Sequence, residues 1–490
     1  MQDRDTGVDY AGISWVRSLG YPDAGVPMRG ELARWWGWYR ATGAFYSATE
    51  TSVDGLGTFK VDRISMNPAK MACEDWAGIL FNYRTSVGLE GVTDLDDGDE
   101  PEEAMQAALD WMTQWVKNVG LLTRSASFER CFALGAYGFA LGLDGLREDG
   151  EPDPGTRVTL RRHDAREIVP LSWDDEGCTE AAFVSGVTVG GRRYTQWAVY
   201  TLDDEGCCVI RTAHFLGNGR RAELEGFASE VRTGVPGPLF RIVRPEIDNT
   251  YEARSPFGVS VFDAAIGSIV LADGAVDNAW KDLFLGQKLL FVPEDMLARD
   301  EKGGYVVPRA KDQQLFLARR DGTVAENQGV DEYNPDLRTE DNRRAVSLGL
   351  QLFGKRCGLG MRYYALDDAA DRPKTAKEVG ADNAELMRNA KKHEQAMGAQ
   401  MARLVESACA LASRFCGEAL PDVSGKACIV FGDSVIQDED TERERMRADV
   451  AAGLVPAWKY AATYYGVGPE TAKEWTGEAD GDDDGIPEEA

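Results

Sequence analysis

TAKEVGADNAELMRNAKKHEQAMGAQMARLVESACALASRFC, residues 375–416, reads as a single helix. It holds no proline; Pro373 stands before it, and Gly417 and Pro421 follow. Thr375 and Glu378 have capping-box spacing, in which each side chain satisfies a free donor of the first turn. At about 1.5 Å per residue the helix would be roughly 60 Å long. Met397, Met401, Leu404, Ala408, Leu411 and Phe415 follow a four-three spacing and make a narrow apolar stripe. Arg388, Lys391, Lys392 and Glu394 occupy a polar first half. A helix this long with so thin a stripe leans on other helices along its length. Those helices can belong to the same chain or to other copies.

Upstream lies a loop, MRYYALDDAADRPK, and before it a helix opened by Asn334-Pro335. Val346, Leu350, Phe353 and Cys357 share one face of that helix, and Gly358 and Gly360 end it. Residues 290–335 read as short strands and turns, punctuated by Gly303-Gly304, Pro308 and Asp321-Gly322. From Pro256 another helical stripe runs through Phe262, Ile266, Ile269, Val276, Trp280 and Phe284, broken once by Asp273. Between about 157 and 245 the period is two: RVTLRR, AAFVSGVTV, RRYTQWAVYTL and CCVIRTAHFL predict an antiparallel meander.

Further upstream, Pro68–Asn82 predicts a helix with Met71, Ala72, Trp76, Ile79 and Leu80 on one face. An acidic loop, TDLDDGDEPEE, precedes a helix with Met105, Leu109, Met112, Trp115 and Val116 inward. A helix through Phe128 and Cys131 then leads into a glycine-studded strand, ALGAYGFALGLDG. In the first sixty residues Trp35, Trp36 and Trp38 predict a short helix docking its rings into a core or interface. After Gly417 come a strand, KACIVFG, an acidic segment, and helices near 441–452 and 456–465. The tail GEADGDDDGIPEEA is too polar to bury anything and is expected to be disordered.

The chain has 490 residues, 43% of them hydrophobic, enough for a sizeable core and several domains. Its 82 acidic residues outnumber 54 basic ones, for a net charge of -28. A protein that grips nucleic acid by neutralising phosphates has the opposite balance. Nine cysteines show no CxxC pair, and the adjacent Cys207 and Cys208 would form a strained disulfide, so a reducing compartment is expected. MQDRDTG lacks the character of a secretory leader, and no apolar run is long enough to span a membrane.

Catalytic motifs are missing. There is no GxxxxGK[ST], HExxH, GxSxG or strand-linked GxGxxG, and His163, His214 and His393 stand far apart without metal-ligand spacing. No cofactor, metal or catalytic residue is therefore assigned. Asp367-Asp368 and Asp438-Glu439-Asp440 could hold Mg²⁺, but read more simply as solvated turns or helix starts. Arg309 with Lys311, and Arg319-Arg320, could touch phosphate or pair with the abundant carboxylates.

The order of elements, with these sequences, resembles the portal proteins of tailed bacteriophages, in particular the siphophage type of Gram-positive hosts. The likeness spans roughly residues 60–475. It rests on KMACEDWAGILFN, on SPFGVSVFDAAIGSIVLADGAVDNAWKDLFLGQKLLFVPEDML, on NPDLRTEDNRRAVSLGLQLFGKRCGLG, on KTAKEVGADNAELMRNAKKHEQAM and on FGDSVIQDEDTERERMRADVAAGLV, in that order.

The resemblance implies an α+β portal fold. Residues 1–255 would be the wing, 256–289 and 336–358 the two stem helices, and 290–335 a small β-containing clip. Residues 359–374 would be the tunnel loop and 375–417 a long kinked wing helix. A return strand and helical crown would occupy 418–476, and the acidic tail 477–490. It further implies a non-enzymatic ring, usually of twelve subunits, at one capsid vertex, through which double-stranded DNA is packaged and ejected. Implied partners are the terminase large subunit, head-completion or adaptor proteins, and the major capsid and scaffolding proteins, with no membrane. The expected location is the virion, after assembly in the host cytoplasm. Arg362, Tyr363, Tyr364, Asp367, Asp368, Arg372 and Lys374 would lie in the tunnel loop. Phe262, Ile266, Trp280, Phe284, Leu350 and Phe353 would pack between subunits. Arg309, Lys311, Arg319 and Arg320 would meet partner or DNA at the clip. Two readings compete: a metal-dependent hydrolase built on the Asp438 cluster, and a monomeric helical adaptor.

Overall fold

A computed structural model describes residues 8–51, 55, 57–93, 101–147, 149–175, 177–224, 226–286, 289–293, 301, 316–319, 331–366, 376–432, 439–465 and 469–477. The architecture is α+β. The chain divides into a large unit ending at Phe431 and a small one from Gly432 onward.

The meander of the large unit is built from Ile168–Asp174, Gly177–Val189, Arg192–Leu202 and Cys207–Phe215, each antiparallel to the next. Cys207–Phe215 then pairs with Glu230–Pro236 and, at its far end, with Arg221–Ala222. Gly190 and Gly191 close the Val189–Arg192 hairpin at φ 57° and 75°. Both positive angles belong to a type I′ turn, whose twist matches the strands it joins.

RVTLRR is not part of this sheet, contrary to the period-two reading. It lies in Pro152–Asp164, which pairs with Tyr137–Leu146; that strand in turn pairs with Phe240–Val243. The separation is made at Asp164. Its carboxylate accepts from the Arg166 N–H at 3.1 Å while its own N–H donates to Glu167, a capping box around one 3₁₀ turn. That turn redirects the chain into Ile168–Asp174, a strand not foreseen. The two sheets meet through Phe183, Tyr200 and Phe240, with ring centroids 5.3–5.7 Å apart.

Residues 8–26 cover the meander's other face. Ala11, Val16 and Ala24 pack against Val184, Trp197 and Phe215, and the Trp197 Nε1–H donates to the Ala11 carbonyl at 2.8 Å. Gly12, at φ 91°, is obligatory, because a Cβ there would sit 2.3 Å from the Phe215 ring. The tryptophan helix is Arg29–Tyr39; Trp35 is buried, and Trp36 and Trp38 are partly buried.

The long helix is Ala376–Phe415, uninterrupted over 40 residues. Thr375 and the side chain of Glu378 lie outside the described residues. The stripe is wider than the four-three spacing implies. Val405, Cys409 and Ala412 are buried beside Met397, Met401, Leu404, Ala408 and Leu411. In the first half Arg388, Lys391 and Lys392 are exposed as the polar reading implies, but the opposite face is covered, since Leu386, Ala390 and His393 are buried. The covering elements belong to the same chain: Phe240–Val243, Pro152–Asp164, the helices Pro68–Leu80 and Glu103–Val119, and the strand Ala427–Val430. Each fully buried Leu or Met contributes about 1.5–3 kcal/mol, which fixes this helix as the spine of the large unit. Ala427–Val430, the anticipated return strand, pairs antiparallel with Ser86–Leu89.

Ile266–Leu285 and Thr339–Arg356 form a helical hairpin. The backbones approach closely at Gly349, where a Cβ would stand 2.8 Å from the Ala272 nitrogen. Between these helices, Leu289–Pro293 pairs with Asp331–Tyr333 and runs parallel to Phe316–Arg319, matching the expected short strands.

Among its described residues the small unit has the helices Glu439–Ala451, Ala457–Tyr465 and Pro469–Thr476, the last not anticipated. Arg443 and Arg447 both donate to the Tyr460 hydroxyl, at 3.0 and 2.8 Å. Residues 478–490 of the acidic tail lie outside the described residues.

Candidate assembly surface

Helix Ile266–Leu285 is placed by its aspartates. Just before it, the Asp263 carboxylate accepts from Arg34 and from the Trp35 Nε1–H, each at 2.6 Å, and from the Tyr251 hydroxyl at 2.9 Å. One face then carries Asp273, Asp277, Trp280 and Phe284 at spacings of four, three and four, a helical stripe. The fully buried Asp273 accepts from the Tyr46 hydroxyl at 2.8 Å, Ser65 Oγ at 2.6 Å and the Met66 N–H at 3.0 Å. Asp277 accepts from the Ile64 N–H at 3.3 Å and pairs with Lys281 at 2.8 Å. Tyr46, Ile64, Ser65 and Met66 therefore cover the first half of this stripe with polar contacts, which explains the aspartate that interrupts the apolar pattern.

Beyond Asp277 the cover stops. Trp280 is 53% exposed, Leu283 53% and Phe284 55%. Leu337 belongs to the same end, because a Cβ on Gly286 would come within 2.5 Å of its Cδ2. This end of the hairpin is held shut by Asp282, which accepts from Arg338 at 2.6 and 3.2 Å and from Asn342 at 2.9 Å. Those bonds keep the Asp282 carboxyl below its ordinary range. The result is a hydrogen-bonded hairpin end bearing large, half-exposed apolar side chains.

The six residues expected to pack between subunits therefore divide. Trp280 and Phe284 are exposed, and Ile266 is partly buried. Phe262, Leu350 and Phe353 are buried inside the chain's own core and have no surface to offer a neighbour, which corrects that part of the expectation. Helical periodicity identifies a buried face without saying which chain buries it. Leu283 and Leu337 were missed; Leu283 lies in the apolar run LFLGQKLLFVP, the one signal that could have found it.

The loop after the hairpin is anchored at its start. The Trp76 Nε1–H donates to the Cys357 carbonyl at 3.0 Å, and Asn389 of the long helix donates to the Gly358 carbonyl at 2.9 Å. Lys355 meets Glu385 at 2.8 Å. Tyr364 donates to Asp75, and its ring lies 5.8 Å from Phe353. Burial pushes the Asp75 carboxyl up and the Tyr364 hydroxyl well up, the latter helped by the Asp75 charge. Arg362 and Tyr363 are exposed. Asp367, Asp368, Arg372 and Lys374 lie outside the described residues, as do Arg309, Lys311, Arg320 and Asp438. Arg319 ends the strand Phe316–Arg319 opposite Pro293.

All three histidines are buried. The His393 Nδ1 accepts from the Glu246 N–H at 3.0 Å and its ring meets Trp76 edge-on at 4.9 Å. Burial, with Lys392 adjacent, pushes it down to about 4. It is a neutral packing residue, not a basic group on an open helix face. Among the described residues no three His, Cys, Asp or Glu side chains are grouped to hold a metal ion. No described helix is long and apolar enough to cross a membrane.

No protein-family model matches the chain, and no curated protein matches it. Among solved structures, one described as the neck of an empty GTA particle computed with C6 symmetry aligns over 95% of this chain and 98% of that chain, at 13% identity and a TM-score of 0.36. A likeness that loose fixes neither fold nor function.

Proposed function

We propose that this chain is a ring-forming portal subunit of a tailed phage, a passive channel at one capsid vertex. The observation that carries the reading is the closed helical hairpin whose stripe passes from polar cover at Asp273 and Asp277 to bare Trp280, Leu283 and Phe284. Such a patch on a hairpin tip is the character of a protein–protein contact surface. It supports a neighbouring copy as the cover, because the tip belongs to the helix–small β–helix unit that precedes the loop and the long helix, the order on which the portal resemblance rests. In a ring each tip would meet a different face of the next copy, a heterologous contact that closes by rotation.

The net charge of -28 suits a conduit, since an acidic wall repels the DNA backbone rather than gripping it. The chain would work without chemistry of its own. The terminase large subunit would supply the energy, and head-completion proteins would later take its place at the clip. Major capsid and scaffolding proteins would surround the ring, assembled in the host cytoplasm and kept in the virion. Electron microscopy of the purified chain tests this. Rings of about twelve subunits with a central hole are expected, whereas a compact monomer at high concentration would replace the reading with that of a monomeric adaptor.

A further inference from the structure

We propose that the cleft between the long helix and the strand end at Arg241 is an oxyanion site for a phosphate-bearing ligand. The cleft has a volume of about 370 Å³. Arg241, Arg244, Arg254 and Arg403 all line it, converging from three separate segments. Four guanidiniums in one cleft are unexpected in a chain with 28 more acids than bases.

The innermost, Arg241, is held by neutral acceptors only. Its Nη1 donates to the Pro238 carbonyl at 2.5 Å and the Phe240 carbonyl at 2.7 Å, and Nη2 reaches Ser407 Oγ at 3.5 Å. Arg244 donates to the Ser255 carbonyl at 3.3 Å. Asp174, Asp175 and Glu246 also line the cleft, but all three are exposed at its rim. Among the described residues none of the four arginines forms an ion pair with a carboxylate. Glu406 acts on Arg241 through space, while its Oε1 accepts from the Ala427 N–H at 3.0 Å.

Burial and the like charge of Arg403 push Arg241 down to about 10. A sheltered cation facing another cation, with Glu406 engaged at the Ala427 N–H, is a costly arrangement that an incoming anion relieves. Guanidinium forks match the oxygens of a phosphate. The cleft shares no residue with the hairpin tip and does not depend on a ring.

The test titrates the full-length chain at low salt, by calorimetry, with sodium pyrophosphate and separately with duplex DNA. Wild type, Arg403→Glu, Arg254→Glu and Arg403→Lys are compared. Both arginines are exposed, and far-UV circular dichroism checks that the variants fold. Saturable binding of at least one probe is expected, weakened about tenfold or more by each charge reversal, a loss of about 1.4 kcal/mol, and weakened less by Arg403→Lys, which keeps the charge but loses the fork. Binding of pyrophosphate alone would assign a free phosphate ester as the ligand. DNA binding lost in the same variants would assign the nucleic-acid backbone. Absence of saturable binding by both probes, or binding unaltered in both charge reversals, would overturn the site.

Discussion

The Tyr46 hydroxyl donates a 2.8 Å hydrogen bond to the fully buried Asp273 carboxylate, joining residues 227 positions apart. With Ser65 and Met66 it gives Asp273, the deepest charge of that stripe, three donors. Asp273→Ala strands two hydroxyls and an N–H in the core and should cost about 2–4 kcal/mol. Tyr46→Phe leaves two donors and should cost only about 1 kcal/mol. Denaturant melts of the two variants check the order.

Trp280 and Phe353 should fail in different ways. Trp280→Asp changes an exposed tip, so the subunit should fold normally but give no rings, or open ones. Phe353→Ala removes a fully buried ring and should cost about 3–5 kcal/mol within the subunit. Closed rings from Trp280→Asp, seen by electron microscopy, would show that this tip is not a packing surface.

The Tyr364–Asp75 bond should give a pH-dependent signature. The Asp75 carboxyl lies above its ordinary 3.8 in the folded chain, so its burial favours folding at low pH and that contribution is lost as pH rises through the folded value. The Tyr364 hydroxyl offsets the loss by donating to the ionised form. Tyr364→Phe should therefore destabilise more at neutral pH than below the carboxylate range. Melts at the two pH values measure the difference, and an equal effect at both would remove the carboxylate from the account.

His163 and His393 are each pushed down to about 4, from an ordinary 6.5. A base with a depressed folded value stabilises the fold above its unfolded pKa, and the contribution is lost as pH falls through the folded one. Stability should decline between about pH 6.5 and 4, by roughly 3 kcal/mol for each histidine. His393→Gln, which can still accept from the Glu246 N–H, should remove the His393 share of that decline, read from denaturant melts across the range.

Much of the architecture is legible in the residues. The long helix falls within a residue of its expected ends, because proline, glycine and an unbroken period delimit it. The hairpin and its short strands are equally clear. The partner of each strand is not. Pro152–Asp164 alternates like its neighbours in sequence, and only the capping box at Asp164 sends it to another sheet. The candidate surface was half legible for a related reason. Trp280 and Phe353 look alike in their periodic stripes, and nothing in the period says that Phe353 is buried beside Tyr364 while Trp280 is left half exposed. His393 reads as a polar surface residue until Trp76 and Phe132 are seen closing over it.

The pairing of Ala427–Val430 with Ser86–Leu89 sets a clock on biosynthesis. The first of these strands to leave the ribosome must wait for roughly 340 more residues before its partner emerges. At about 5–20 residues per second that is tens of seconds with an unpaired edge. The long helix, which rests on the late strand, cannot be fully seated sooner. Folding of the large unit therefore cannot finish until Val430 has emerged, however early the meander forms.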